Sequence, residues 1–207
     1  MLISFAELNK FINSKVTGIL HVGAHECEEI RMYNSIGVPN ENIFWIEAMP
    51  DKVLKMKYLN VPNIFQCLVD EVDGSIVPFH ITNNGESSSL LKFGSHSKHH
   101  PHVHVVNTIE LSTTRLDTLI EKCNIPISKL NFINLDIQGV ELRALKSMEK
   151  HLHNVQYIYT EINTEYVYEN CNLVNEIDQY LYGHGFKRVI TKICGNFGWG
   201  DAFYVKL

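Results

Sequence analysis

The sequence predicts an α/β protein built on a single, mostly parallel sheet. Three observations predict it. Short apolar runs alternate with helix-period segments along the chain, as strand–helix–strand units require. Several of those runs end on a glycine or an acid at Gly23, Glu47, Asp70 and Asp136, which suits strand ends that open onto a ligand. At 207 residues the chain is long enough for one such domain with a sizeable core, and no internal repeat, linker or low-complexity tract divides it.

Ser4 to Glu7 has the spacing of a capping box, and Phe5, Leu8 and Ile12 mark one face of a short N-terminal helix within residues 1–15, expected to cover a sheet edge. Strand Thr17 to Val22 leads through Gly23 into a helix reaching about Gly37. Strand Asn42 to Glu47, a helix from Asp51 to Leu59 and strand Asn63 to Val69 complete a βαβαβ half. A turn at Asp73-Gly74 and strands Ser75 to Ile81 and Val103 to Leu111 interrupt the alternation, with residues 82–104 between them as an expected substrate lid. Helix Arg115 to Asn124, strand Asn131 to Asp136 and helix Val140 to Lys150 restore it. Strand Val155 to Glu161 and a helix aligned by Leu173, Ile177 and Leu181 follow. Gly195 and Gly198 then fit a hairpin that makes the last strand, Gly198 to Val205, antiparallel to strand Phe186 to Thr191.

A formal charge of -5 argues against nucleic acid or an anionic membrane as partner and favours a small or neutral molecule. No apolar run has the length of a membrane span and no leader pattern opens the chain, so a cytoplasmic protein is expected. Cys27, Cys67, Cys123, Cys171 and Cys194 are odd in number and dispersed, and are expected to be buried thiols.

The loop after the first strand reads Gly23-Ala24-His25-Glu26-Cys27-Glu28, and Glu47 closes the second strand where an acid can hold ribose hydroxyls. A dinucleotide wants successive glycines and a helix start free of negative charge around its pyrophosphate. This loop has one glycine, and Glu26, Glu28 and Glu29 stand where the anion would lie. S-adenosylmethionine has no phosphate and carries a sulfonium and an ammonium, so the loop favours it over a nicotinamide cofactor and disfavours an oxidoreductase.

Leu20-His21-Val22-Gly23-Ala24-His25 resembles the first motif of FkbM-type methyltransferases, usually written Asp-Val-Gly-Ala-Asn. Trp45 to Pro50 is similar to the family's ribose motif, Asp70 to Gly74 to its turn after strand three, and Ser87 to Leu91 to its serine-rich segment. Phe132-Ile133-Asn134-Leu135-Asp136-Ile137-Gln138-Gly139-Val140-Glu141 resembles its Lys-Ile-Asp-Val-Glu-Gly-Ala-Glu block, and Thr114 to Leu119 also has a counterpart. The resemblance spans roughly residues 17 to 206. It implies a Rossmann-like class I methyltransferase fold of seven strands, S-adenosylmethionine as donor and methylation of a hydroxyl oxygen. It further implies that Gly23, Ala24 and His25 surround the methionine part, Glu47 the ribose and Asp70 the adenine edge, with Asp136 near the reacting methyl; Glu28 and Ala48 are further expected cofactor-binding residues. Three positions depart from the pattern: His21 stands for the first acid, Cys27 for a second glycine and Gln138 for a glutamate.

An alcohol nucleophile gains from a base, and Asp136 and His25 are the expected catalytic residues, with Glu161 a further acid at a strand end. Asp136 also has the position of a helix cap. Ser88, Ser89, His96, Glu161 and Asn163 make a hydrogen-bonding set that suits a sugar hydroxyl of a glycan or saccharide as acceptor. A macrolide-like acceptor and an inactive S-adenosylmethionine-binding module are the alternatives. His96, His99, His100, His102 and His104 raise a metal site, but no carboxylate is interleaved and Pro101 breaks a regular strand, so no metal is expected there.

Overall fold

A computed structural model describes residues 1–207. Four parallel strands form its centre: β1 (Ile19–Val22), β2 (Ile43–Glu47), β7 (Phe132–Leu135) and β8 (Tyr157–Asn163). All are wholly buried, and their continuous Ile, Leu, Val and aromatic runs are what a sheet covered on both faces requires. With β3 (Ile64–Gln66), β9 (Phe186–Ile193) and β10 (Trp199–Lys206) they make a seven-stranded sheet of order β3-β2-β1-β7-β8-β10-β9. The last strand, β10, runs antiparallel to both neighbours, as the hairpin glycines predict. Strand order reverses between β1 and β7, which places a ligand crevice beyond their carboxyl ends.

Helices cover both faces. One core packs α5 (Leu116–Lys122), α6 (Glu141–Ser147) and α7 (Val174–Gly183) on Leu20, Ile133, Ile158 and their neighbours. The other packs α2 (Ile30–Ser35) and α3 (Pro50–Tyr58) on Trp45, Phe132 and Phe203. The N-terminal helix is shorter than expected, α1 (Phe5–Leu8), although its capping box forms between Ser4 and Glu7. It lies on the face of the central strands and not along an edge, because Phe5 stacks on Phe132 and the Ile3 amide donates to the Tyr159 hydroxyl. Among the cysteines, Cys27, Cys67 and Cys171 are buried, whereas Cys123 and Cys194 are only half-buried.

The third strand differs from its expected span. It breaks at Cys67, where β3 leaves the main sheet and β4 (Leu68–Val69) pairs instead with β6 (Val105–Thr114). β6 and β5 (Ile76–Thr82) form an antiparallel arm, giving a second sheet of order β4-β6-β5. Between β5 and β6, residues 83–104 include one short helix, α4 (His96–His99). In this structure the segment forms a wall held by backbone contacts. Ser89 bridges His80, the Gly94 amide donates to the Val167 carbonyl, and a Cβ at Gly94 would meet the Tyr166 carbonyl oxygen at 2.2 Å.

Candidate active site

A cavity of about 520 Å³ opens at the carboxyl ends of β1, β2, β7 and β8 and is closed over by residues 84–103. Its floor depends on Gly23. The backbone there has φ of +89°, and a Cβ would come within 1.7 Å of the Asp136 carbonyl oxygen. Only a glycine lets β1 turn so close to the end of β7. Ala24 follows, and its amide donates to the Ile46 carbonyl, while His25 and Cys27 take left-handed conformations at φ of 44° and 57°. Cys27 thus holds the backbone shape of the glycine it replaces, at a strain of about 1 kcal/mol.

Glu47 lies at the end of β2 with one carboxylate oxygen accepting from the His25 amide at 2.7 Å and the other from the Met49 amide at 2.8 Å. Burial raises its pKa and those two bonds oppose the rise. Ala48, Met49, Cys67, Leu68, Val69 and Phe79 make an apolar recess beside it. His25 pairs with Glu28 at 2.6 Å, which raises the histidine's pKa, and the Nε2 of His25 is buried without a partner.

Across the cavity a connected group of acids follows β7. The Gln138 amide nitrogen donates to Asp136 at 2.6 Å and to Glu161 at 2.8 Å, and the Tyr168 hydroxyl donates to the Gln138 oxygen at 2.6 Å. Gln138 (φ 57°) and Gly139 (φ 104°) are both left-handed, and that turn aims the amide at the two carboxylates. Burial and then the charge of Asp201 raise the pKa of Asp136; burial and then the charge of Asp136 raise Glu161 well above the carboxylate range. Glu141, fully buried, accepts from the Ile137 and Gly139 amides and is pushed up to about 7 by burial. Asp201 takes the Leu2 amide and the Tyr159 hydroxyl.

The expected site residues divide. Gly23, Ala24, His25, Glu28, Glu47, Ala48, Asp136, Ser88, His96 and Glu161 line the cavity. Asp70 does not: the break in the third strand turns it outward to Arg143 at 3.6 Å, so the recess that it was expected to edge is lined by Cys67 to Val69. Ser89 lies behind the wall, donating to the Gln138 carbonyl at 2.9 Å. Asn163 is fully buried in β8 outside the cavity. Asp136 is no helix cap: Val140 holds the N-cap position of α6 without a side-chain cap, and Glu141 reaches back to accept from the Ile137 and Gly139 amides in the turn before the helix. Glu26 also leaves the site, paired with Lys52 and Lys55. The histidines take different partners: His96 stacks on Phe93 at 4.1 Å with the His100 ring 5.1 Å away, His99 pairs with Glu165 at 2.8 Å, and His96, His100 and His102 line the cavity without any three His, Cys, Asp or Glu side chains grouped to hold a metal ion. Sequence reasoning missed Gln138 as a donor, Tyr168 and Asp201. Asp201 had a signal, as the one acid within the apolar run Gly200 to Val205.

Residues 21–188 match the methyltransferase FkbM domain. The chain belongs to the FkbM methyltransferase family. No curated protein sequence is a significant match to it. Among solved structures it is similar to the methyltransferase FkbM from Methylobacillus flagellatus KT, at a TM-score of 0.59 and 14% identity, over 98% of this chain and 46% of that one. It also resembles magnesium protoporphyrin IX methyltransferase from Synechocystis PCC 6803, solved with bound S-adenosylmethionine, at a TM-score of 0.53, 10% identity and coverage of 98% and 76%. The same enzyme with S-adenosylhomocysteine gives 0.52 at 8% identity, over 98% and 79%. The sheet is therefore that of the class I methyltransferases, and the FkbM member described here depends on S-adenosylmethionine. The donor set fits that cofactor. Glu28, Glu29, Glu47, Glu86, Asp136, Glu161 and Asp201 line the cavity, with no lysine or arginine among the lining residues and the N-terminal ammonium of Met1 as the one fixed cation there. Such a wall favours a ligand with sulfonium and ammonium charges and repels a pyrophosphate.

Proposed function

We propose that this FkbM-family methyltransferase methylates a hydroxyl oxygen of a sugar in a glycan or saccharide. The observation that carries the reading is the Asp136–Gln138–Glu161 group beside a wall of Ser88, His96, Tyr168 and Trp199. When bound, S-adenosylmethionine supplies an electrophilic methyl group on a sulfonium. Asp136 would accept the proton of the acceptor hydroxyl as the hydroxyl oxygen takes the methyl and the sulfur–methyl bond breaks, the donor leaving as a neutral thioether. Glu161, whose pKa is raised further out of the carboxylate range, holds a proton through the step, and the Gln138 amide keeps the two carboxyl groups together. A glutamate at position 138 would add a third negative charge where two already repel. His96, whose Nδ1 is buried without a partner, offers a neutral polyol a directional hydrogen bond, and Trp199 offers it an aromatic face. The five dispersed free cysteines support the reducing cytoplasm as the place of reaction.

The test is to offer labelled S-adenosylmethionine with deoxyhexose glycosides, a macrolide precursor and a catechol, and to follow incorporation by mass spectrometry. Label is expected on a sugar oxygen. Label on the macrolide or catechol with none on any sugar overturns the glycan reading and leaves the methyltransferase assignment standing.

A further inference from the structure

The first acid of the family motif is replaced by His21, and the cavity shows what stands in its place. His21 is buried at the end of β1, and burial drives its pKa down to about 3, so the ring is neutral. Its Nδ1 is 3.0 Å from the Tyr33 hydroxyl, which in turn accepts from the Asn134 amide at 2.7 Å. The neutral ring brings no charge to this position for a cationic ligand.

Glu29 sits at the same end of the cavity, at the start of α2, with one carboxylate oxygen 3.9 Å from His21 Nδ1. Its side chain is only 19% exposed. The other lining carboxylates are already engaged or open to solvent. Glu47 holds two backbone amides, Glu28 holds His25, Asp136 and Glu161 share Gln138, Asp201 holds Leu2 and Tyr159, and Glu86 is exposed. Glu29 receives no hydrogen bond from another residue; the N-terminal ammonium of Met1 lines the same cavity and its charge opposes the rise in the Glu29 pKa, but it forms no ion pair with Glu29, and no lysine or arginine does. A half-buried carboxylate left so costs free energy unless a cation completes it. Beside His21 at the end of β1, it lines the same cavity as Glu47 and the recess of Cys67 to Val69, so a cationic group of a ligand held there can reach it.

We propose that Glu29 binds the α-ammonium of the cofactor, supplying from α2 the charge that His21 removes from β1. The inference rests on the S-adenosylmethionine dependence of the family and not on the acceptor. S-adenosylhomocysteine keeps the ammonium but lacks the sulfonium, and 5′-methylthioadenosine lacks the whole amino-acid arm, so calorimetry with both isolates the contact. In Glu29→Gln the affinity for S-adenosylhomocysteine is expected to fall about tenfold or more, the loss of one charge-assisted bond, while that for 5′-methylthioadenosine stays within about twofold of the parent. An unchanged affinity for S-adenosylhomocysteine overturns the proposal, and so does an equal loss for both ligands, which makes Glu29 a structural residue. Failure of the parent to bind either ligand would instead remove the cofactor site on which the proposal stands.

Discussion

At Asp136 a buried carboxylate meets two others, and the same contacts that suit it to accept a proton make it a burden on the fold. Burial and the charge of Asp201 both favour its protonated form. Asp136→Asn removes that repulsion and retains an oxygen to accept from Gln138. The variant is expected to keep or slightly raise its melting temperature at pH 8, while turnover of an accepting saccharide falls by roughly 10²- to 10⁴-fold, the range of a lost general base. Scanning calorimetry with a product assay checks both, and a fall in melting temperature without loss of turnover would return Asp136 to a structural role. The residues of this site were unevenly legible. Gly23, Glu47, Asp136 and Glu161 could be placed because each marks or lies close to a strand end, where the periodicity changes. Gln138 could be read only as a departure from the family block, since its role comes from a left-handed turn that aims its amide at Asp136 and Glu161. Glu29 was visible as one of three acids in a loop, but its lack of a partner is a property of the packed cavity.

Among the elements, the turn from β1 into α2 determines whether the cavity exists. In Gly23→Ala the added methyl meets the Asp136 carbonyl at 1.7 Å, and φ of +89° is unfavourable for any residue with a Cβ. Neither β1 nor β7 can retreat, because each is wholly buried and hydrogen-bonded to strands on both sides. The variant is expected to lose on the order of 3 kcal/mol of stability, a drop of roughly 6 to 12 °C in a domain of this size, together with S-adenosylhomocysteine binding. Thermal melting and calorimetry measure the two; a variant that melts with the parent and binds normally would show that the strand ends can part. Apolar runs made these central strands readable from the sequence. The third strand was not, because Asn63 to Val69 reads as one run while its backbone changes sheets at Cys67. That switch depends on the distant strand β6, and it carries Asp70 away from the cavity.

For the whole molecule, the buried acids link stability to pH. Glu141 is raised to about 7, and Glu29, Glu47, Asp136, Glu161 and Asp201 are all shifted upward, burial being the largest cause for each. Unfolded carboxylates have lost their protons by pH 6, so above that pH the folded chain binds more protons than the unfolded one and stability must fall as pH rises. Each proton so retained costs about 1 kcal/mol per pH unit. His21 and His96 act in the opposite sense: burial lowers them to about 3 and about 4, so they cost stability as pH falls below the ordinary histidine value of 6.5. Above pH 7 the unfolded histidines are mostly neutral and the acids dominate. The ligand-free protein is therefore expected to melt at a lower temperature at pH 8 than at pH 7. Bound S-adenosylmethionine, a cation against the acid-lined wall, favours the ionised carboxylates, so its stabilising shift should be larger at pH 8. Melting curves at both pH values, with and without the cofactor, test the linkage. A ligand-free protein that gains stability between pH 7 and 8 would mean that these carboxylates are ionised and paired within the fold, and the charge argument for the cavity would fail with it.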